Sequence, residues 1–367
     1  MSIALIAHYI GPRLGIGQYL ERLLPPLAQE LTQRNIEFTI LASPNAYEKT
    51  PSLQKLGDVV RVLPPLDYSP YKRYGWVATG FANYCRQEKF ELVAWLSNPT
   101  ILPWHPPSVA VLHDVNEWKA SNQGKLRTIL RGFIYLDASI KFSQKIIVIS
   151  KATQDDLFHF RSSEKLKQKV RLITNGVDSG LINQPSVAID APKAPFLLYV
   201  GRIDPTSKRL PEAVELVKEM REVSNQGWEL HLVGGMNAST QAAGEEFIAS
   251  IENLPWVTYH GYVDDPELAQ WYRQATGVVF LSDFEGFGLP IAEAASFGRW
   301  AIVSQVNQAG MEAGGEAVIA VDTKNPRSSA QQVLERIQSQ EAPNDISNLP
   351  QWSTAAQSYG EELSALL

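Results

Sequence analysis

Short apolar runs rich in β-branched residues alternate along the chain with amphipathic stretches. Ser2 to Ala7 reads as a buried strand. Gly17 to Leu31 reads as the helix after it, because Leu20, Leu23, Leu24, Leu27 and Leu31 recur near the helical period. Pro25 and Pro26 inside that helix predict a kink, since neither can donate to the helical ladder. Further strands are predicted at Glu37 to Leu41, Leu92 to Leu96, Val109 to Leu112 and Ile146 to Ile149. Strands separated by helices predict right-handed βαβ units and a parallel sheet.

The pattern breaks between Val177 and Pro195, where Pro185, Pro192 and Pro195 and a lack of periodicity suggest a linker. It then restarts, with strands predicted at Phe196 to Val200, Glu229 to Val233, Val257 to Tyr259, Val278 to Leu281 and Trp300 to Ser304. The expected fold class is α/β, with two doubly wound, Rossmann-like domains facing each other across a cleft. The first spans 1–177 and the second 195–345, and a helix over 352–367 has no local partner in sequence. Ligands of such sheets sit at the carboxyl ends of strands, near the point where strand order reverses.

Composition narrows the function. The chain has 367 residues, 44% hydrophobic and 20% charged, with a net charge of -6, so a nucleic-acid partner, which needs a basic surface, is not expected. Cys85 is the only cysteine, which excludes an intrachain disulfide and a cysteine metal cluster. Without an export signal or a window of ~20 apolar residues, the protein is expected to be soluble and cytoplasmic.

The segment "SDFEGFGLPIAEAASFG", Ser282 to Gly298, carries the most chemistry. It follows a strand and opens a helix at which Pro290 loses nothing for lacking an N–H. Gly286 and Gly288 permit positive φ and close backbone approach, and the free N–H groups of a helix start attract an anion. Glu285 in the loop and Glu293 in the expected first turn would accept hydrogen bonds from sugar hydroxyls, because a carboxylate does not favour phosphate. In "YVGRIDPTSKRL", Arg202 and Lys208 follow a strand and could neutralise a diphosphate. No Asp-x-Asp occurs, so these cations and the helix amides, with no divalent metal, would stabilise a departing pyrophosphate. "VAVLHDVNEW" places His113 and Asp114 at a strand end, with His113 expected to donate a hydrogen bond to a sugar hydroxyl and Asp114 to orient its ring. Gly15 and Gly17 open the first helix, but Leu20 spoils a dinucleotide turn. Each feature also has a structural explanation: Glu293 as a helix-dipole partner, Glu285 as a loop charge, Arg202 and Lys208 as a surface pair, His113 as a core histidine.

Taken in order, "LGIGQYLERLLPPLA", "VLHDV", "IIVISKATQDDL", "LITNGVD", "YVGRIDPTSKRL", "LHLVGG", "VTYHGYVDDPELAQWY" and "EGFGLPIAEAASFG" resemble the retaining glycosyltransferases of family 4, which adopt the GT-B fold. The last segment holds the Glu-x7-Glu spacing of that family, Glu285 to Glu293. The resemblance implies an acceptor-side first domain, with the terminal helix packing back on it, and a nucleotide-sugar-binding second domain. It implies that Arg202 and Lys208 hold the diphosphate, that Glu293 binds the ribose, and that Glu285 binds the hexose. Gly286, Phe287, Gly288 and Leu289 would touch sugar and phosphate through the backbone. Tyr262 and Val263 would meet the base through main-chain groups, Gly235 would border the nucleotide, His113 would contact the transferred sugar, and Gly17 would lie beneath it. Leu14 and Arg209 depart from the family pattern, each standing where a glycine is usual.

The function so implied is metal-independent, retaining transfer of a hexosyl group, glucose or mannose, from a UDP- or GDP-sugar to a saccharide or lipid-linked saccharide in polysaccharide biosynthesis. His113 and Glu285 would then be positioning groups, with no nucleophilic carboxylate. A basic amphipathic helix over 119–145 would give peripheral contact with the inner face of a membrane, an ordinary surface helix being the other reading. The alternatives are a nucleotide-sugar epimerase of the same architecture, a nicotinamide-dependent oxidoreductase and a non-enzymatic sugar-binding protein.

Overall fold

The computed structural model describes residues 2–8, 15–97, 99–115, 118, 136–177, 179–190, 192–238, 240–339 and 350–367. The chain divides into two compact units, Met1–Gly176 with Pro350–Leu367, and Val177–Leu349.

The first unit is built on seven strands: β1 (Ser2–Ala7), β2 (Glu37–Ala42), β3 (Val60–Val62), β4 (Leu92–Trp95), β5 (Ser108–Leu112), β6 (Lys145–Val148) and β7 (Val170–Leu172). They pair in parallel in the order β3-β2-β1-β4-β5-β6-β7. The central β4 and β5 are buried at every position, as a parallel sheet covered on both faces requires. The helix Gly15–Gln33 buries Tyr19, Leu20, Leu23, Leu24, Leu27 and Leu31 along one stripe, and it runs on through Pro25 and Pro26 to Gln33. The helix Trp352–Ser364 packs against it, burying Trp352, Ala355, Ala356, Tyr359 and Leu363. Two hydroxyls meet there, Tyr19 and Tyr359, at 2.7 Å. At its far end Glu362 pairs with Lys145 of β6 and Arg171 of β7, both at 3.0 Å.

The second unit has six strands: β8 (Phe196–Val200), β9 (Glu229–Val233), β10 (Val257–Gly261), β11 (Gly277–Phe280), β12 (Trp300–Ser304) and β13 (Val318–Val321). They too are parallel, in the order β10-β9-β8-β11-β12-β13. In each sheet the order reverses once, at β1/β4 and at β8/β11. These are two Rossmann-like sheets.

Several expectations are revised. The stretch 177–194 belongs to the second unit, where a short helix, Ser179–Ile182, puts Leu181 into that unit's core. Arg273 holds it there by donating to the carbonyls of Ile182 and Gln184 at 2.8 and 2.6 Å. Strands β3, β7 and β13 escape the hydropathy pattern because they are short sheet edges whose residues are partly exposed. Of the predicted helix over 119–145, residues 119–135 lie outside the described residues. Asp137–Phe142 is helical, and Lys145 is a strand residue that opens β6. Leu14 also lies outside the described residues. Among the described residues, no helix is long and apolar enough to cross a membrane.

Candidate functional site

The reversal at β8/β11 brings together two loops that are distant in sequence. The loop after β8 carries Arg202, Asp204 and Lys208; the loop after β11 carries Ser282, Asp283 and Glu285. Lys208 Nζ donates to Glu285 Oε1 at 2.5 Å, and Ser282 Oγ donates to the same oxygen at 2.6 Å. Glu285 Oε2 is left without a hydrogen bond among the described residues. The ammonium of Lys208 also lies 5.0 Å from the centroid of the Phe280 ring, which stacks on Tyr199. Both charged side chains are mostly buried, at 17% and 15% exposure, so their attraction is only weakly screened. Arg202 is fixed at two points: its Nη2 donates to Asp204 at 3.1 Å, and its carbonyl accepts from Tyr199 at 2.7 Å. Its buried Nε has no partner among the described residues.

Gly288, at φ 98°, starts the helix Leu289–Ser296, and Pro290 lies in the first turn. The amides of Phe287, Gly288 and Leu289 make no hydrogen bond among the described residues. They are therefore the free N–H groups of a helix start, which carry partial positive charge. Glu293 is not in the first turn. With Gly288 as cap it falls in the second, too far from the helix start to act as a cap there. It is 7% exposed, and its Oε2 accepts from the Tyr272 hydroxyl at 2.7 Å. Burial, and then the Glu293 charge, raise the Tyr272 pKa well above its ordinary value, so the phenol stays protonated and donates.

The neighbouring strand ends close onto the same edge. Gly201 donates to Val233 O at 2.9 Å, and Gly234 to Gly261 O at 2.7 Å. A Cβ on Gly234, whose φ is 144°, would stand 1.8 Å from Gly201 O, so only glycine lets these strand ends meet. Gly235 O accepts from Ile203 at 2.9 Å, which ties the end of β9 to the loop after β8. After β10, Val263 buries its side chain at 7% exposure while Tyr262 is 56% exposed.

Gly17 and His113 belong to the first unit. Gly17 is buried in the opening turn of Gly15–Gln33. His113 Nε2 lies 2.9 Å from Leu96 O, and the imidazole meets the Tyr19 ring edge-on at 4.5 Å. Burial lowers its pKa, which favours the neutral ring. This corrects the expected role. A neutral imidazole has one N–H, and here the Leu96 carbonyl takes it, so Nδ1 can only accept from a hydroxyl.

The structure thus gathers Arg202, Lys208, Glu285, the backbone of 286–289 and Glu293 at one edge of the second unit. Sequence reasoning missed Tyr272, Ser282 and Asp283 as partners of this edge. Ser282 and Asp283 adjoin Glu285 and were legible as loop polar groups, but Tyr272 looks like any apolar helix position.

Two family models match successive stretches of the chain: "Glycosyltransferase Family 4" at residues 20–181 and "Glycosyl transferases group 1" at residues 194–339. An O-antigen chain mannosyltransferase B of Escherichia coli is 36% identical over 83 residues, 23% of this chain and 22% of that protein. A D-inositol 3-phosphate glycosyltransferase of Thermomonospora curvata is 29% identical over 161 residues, 41% of this chain and 37% of that protein. The chain therefore aligns with well under half the length of either. Among solved structures, the Anabaena protein Alr3699/HepE in complex with UDP and glucose has a TM-score of 0.72 at 18% identity, covering 99% of both chains. Sucrose-phosphate synthase of Thermosynechococcus elongatus has a TM-score of 0.67 at 22% identity, covering 100% of this chain and 98% of that one.

Proposed function

The chain belongs to the glycosyltransferases of family 4 and group 1, and from that premise we propose that it transfers a hexosyl group, glucose or mannose, from a UDP- or GDP-sugar to a saccharide or lipid-linked saccharide. The transfer is metal-independent, retains anomeric configuration and serves polysaccharide assembly. It takes place in the cytoplasm, or at the inner face of the membrane when the acceptor is lipid-linked.

One observation carries this reading: the Lys208–Glu285 pair beside the amides of Phe287 to Leu289, which make no hydrogen bond among the described residues. An ammonium has three N–H groups, so Lys208 can keep Glu285 on one and hold diphosphate oxygens with the others. Arg202 and the helix amides add fixed positive ends. As the anomeric C–O bond breaks, charge grows on the departing phosphate, and these groups are already in place to stabilise it. The open Glu285 oxygen accepts from a hexose hydroxyl, and Glu293 accepts from the ribose. The acceptor hydroxyl attacks from the face the phosphate leaves, and its proton passes to that phosphate. The mannosyltransferase relative and the neighbour crystallised with UDP and glucose support a nucleotide-sugar donor.

Nucleotide titration, then a panel of UDP-, GDP- and ADP-hexoses with nucleotide release as the readout, tests this. Lys208→Ala should lower turnover about 10²–10³-fold, and Glu293→Ala should weaken nucleotide binding. If both variants bind nucleotide as the parent does, the site is misassigned. Conversion of donor to its epimer without nucleotide release would favour the epimerase alternative.

A further inference from the structure

Arg209 follows Lys208 directly and breaks two local rules. It adopts a left-handed conformation, φ 50° and ψ 47°, that a side chain disfavours and glycine accepts freely. It also caps the helix Leu210–Ser224 without making a side-chain capping bond, in a position that favours Ser, Thr, Asp, Asn or Gly. Its guanidinium, however, reaches the other loop of the site: Nη2 donates to Asp283 Oδ2, while Nη1 donates to Glu212 at 2.8 Å. Asp283 in turn accepts from Ser304 Oγ at 3.4 Å, at the end of β12. Asp283 lies between Ser282 and Phe284, two residues before Glu285, and Ser282 itself bonds Glu285. The pair is about a quarter exposed on each side, so water screens it only in part.

We propose that Arg209 is a positioning residue of the donor site, clamping the loop that carries Lys208 to the loop that carries Glu285 through Asp283. The inference rests on the donor-site reading above and extends it to two residues outside the proposed ligand contacts. The Lys208–Glu285 pair spans the same two loops, so the clamp fixes from outside the separation that this pair needs in order to meet a diphosphate and a sugar together. The strain at Arg209 is tolerated because it aims the guanidinium across the gap between the loops.

The test is titration of UDP and of GDP into the full chain, with thermal melts, for the parent, Arg209→Gly, Asp283→Asn and the double variant. Glycine relieves the left-handed backbone, so Arg209→Gly should melt at or above the parent. Its affinity for the nucleotide the parent prefers should nevertheless fall about five- to tenfold. Asp283→Asn should lose a similar factor, and the double variant should lose no more than either single one. A side chain with a purely structural role would not weaken binding while the melting temperature holds. The proposal is overturned if Arg209→Gly binds nucleotide as the parent does, or if the two losses multiply. Lys208→Ala and Glu293→Ala separate the two readings. If they lose binding and Arg209→Gly does not, only the clamp fails; if they too bind as the parent does, the donor site itself fails.

Discussion

At the scale of single residues, the site consists of charges whose partners are already chosen. Glu293 is buried and accepts from a phenol that burial keeps protonated. Removing that donor leaves a buried carboxylate short of a bond, and hydrogen bonds to charged groups contribute about 1.5–3 kcal/mol. Tyr272→Phe should therefore lower unfolding free energy by about that amount, measured by denaturant titration, and weaken nucleotide binding with it. An unchanged midpoint would mean that Glu293 finds another donor. Glu285 is a different case, because one oxygen is engaged twice and the other not at all among the described residues. Its open oxygen is a fact of geometry that residue type alone does not reveal.

At the scale of elements, two contacts decide how strands and helices meet. The first is the approach of Gly234 to Gly201, where the added methyl of Gly234→Ala meets a carbonyl oxygen at 1.8 Å. We expect a loss of about 3 kcal/mol or more, read as a fall in soluble yield and in melting temperature. The second is the pair of helices Gly15–Gln33 and Trp352–Ser364. The Tyr19 and Tyr359 hydroxyls satisfy each other in a buried setting, and both phenols are held protonated by burial. Either single change to Phe strands one hydroxyl at about 1–3 kcal/mol, whereas the double change strands none. The double variant should accordingly be more stable than the sum of the single losses predicts. Strict additivity in a double-mutant cycle would sink this account. Because Tyr19 also meets the His113 ring, the terminal helix supports the packing of a histidine more than two hundred positions away in sequence.

At the scale of the whole molecule, buried histidines make stability depend on pH below neutrality. In the first unit, burial, and then the charge of Arg73, lower the pKa of His8 to about 4. In the second, His231 Nδ1 lies 2.8 Å from His260 Nε2, and Trp271 packs on both rings. Burial, and then the His231 charge, lower His260 to about 4; burial also lowers His231, against the pull of Glu229. These folded values lie below the unfolded value near 6.5, so between the two the unfolded chain binds more protons. Stability is full above about pH 6.5 and falls as pH drops toward about 4. Thermal melts from pH 7.5 to 4.5 should show that loss, and His260→Gln should lessen it. A parent melting temperature that holds steady from pH 7.5 to 5 contradicts the assignment.

Periodicity alone determined most of the architecture, because buried parallel strands such as Phe196–Val200 and Trp300–Ser304 must be apolar throughout and amphipathic helices must repeat a stripe. Glycines and charges at strand ends marked Arg202, Lys208 and Glu285 for the same reason: they stand where a parallel sheet presents its carboxyl edge. What sequence could not give was pairing. Which oxygen of Glu285 stays open, where Glu293 falls on its helix, that Tyr272 donates to it, and that Arg209 reaches Asp283 all depend on the β8/β11 neighbourhood. Only folding brings those strands side by side, since a hydrogen bond needs atoms within about 3 Å and distance along the chain carries no record of that.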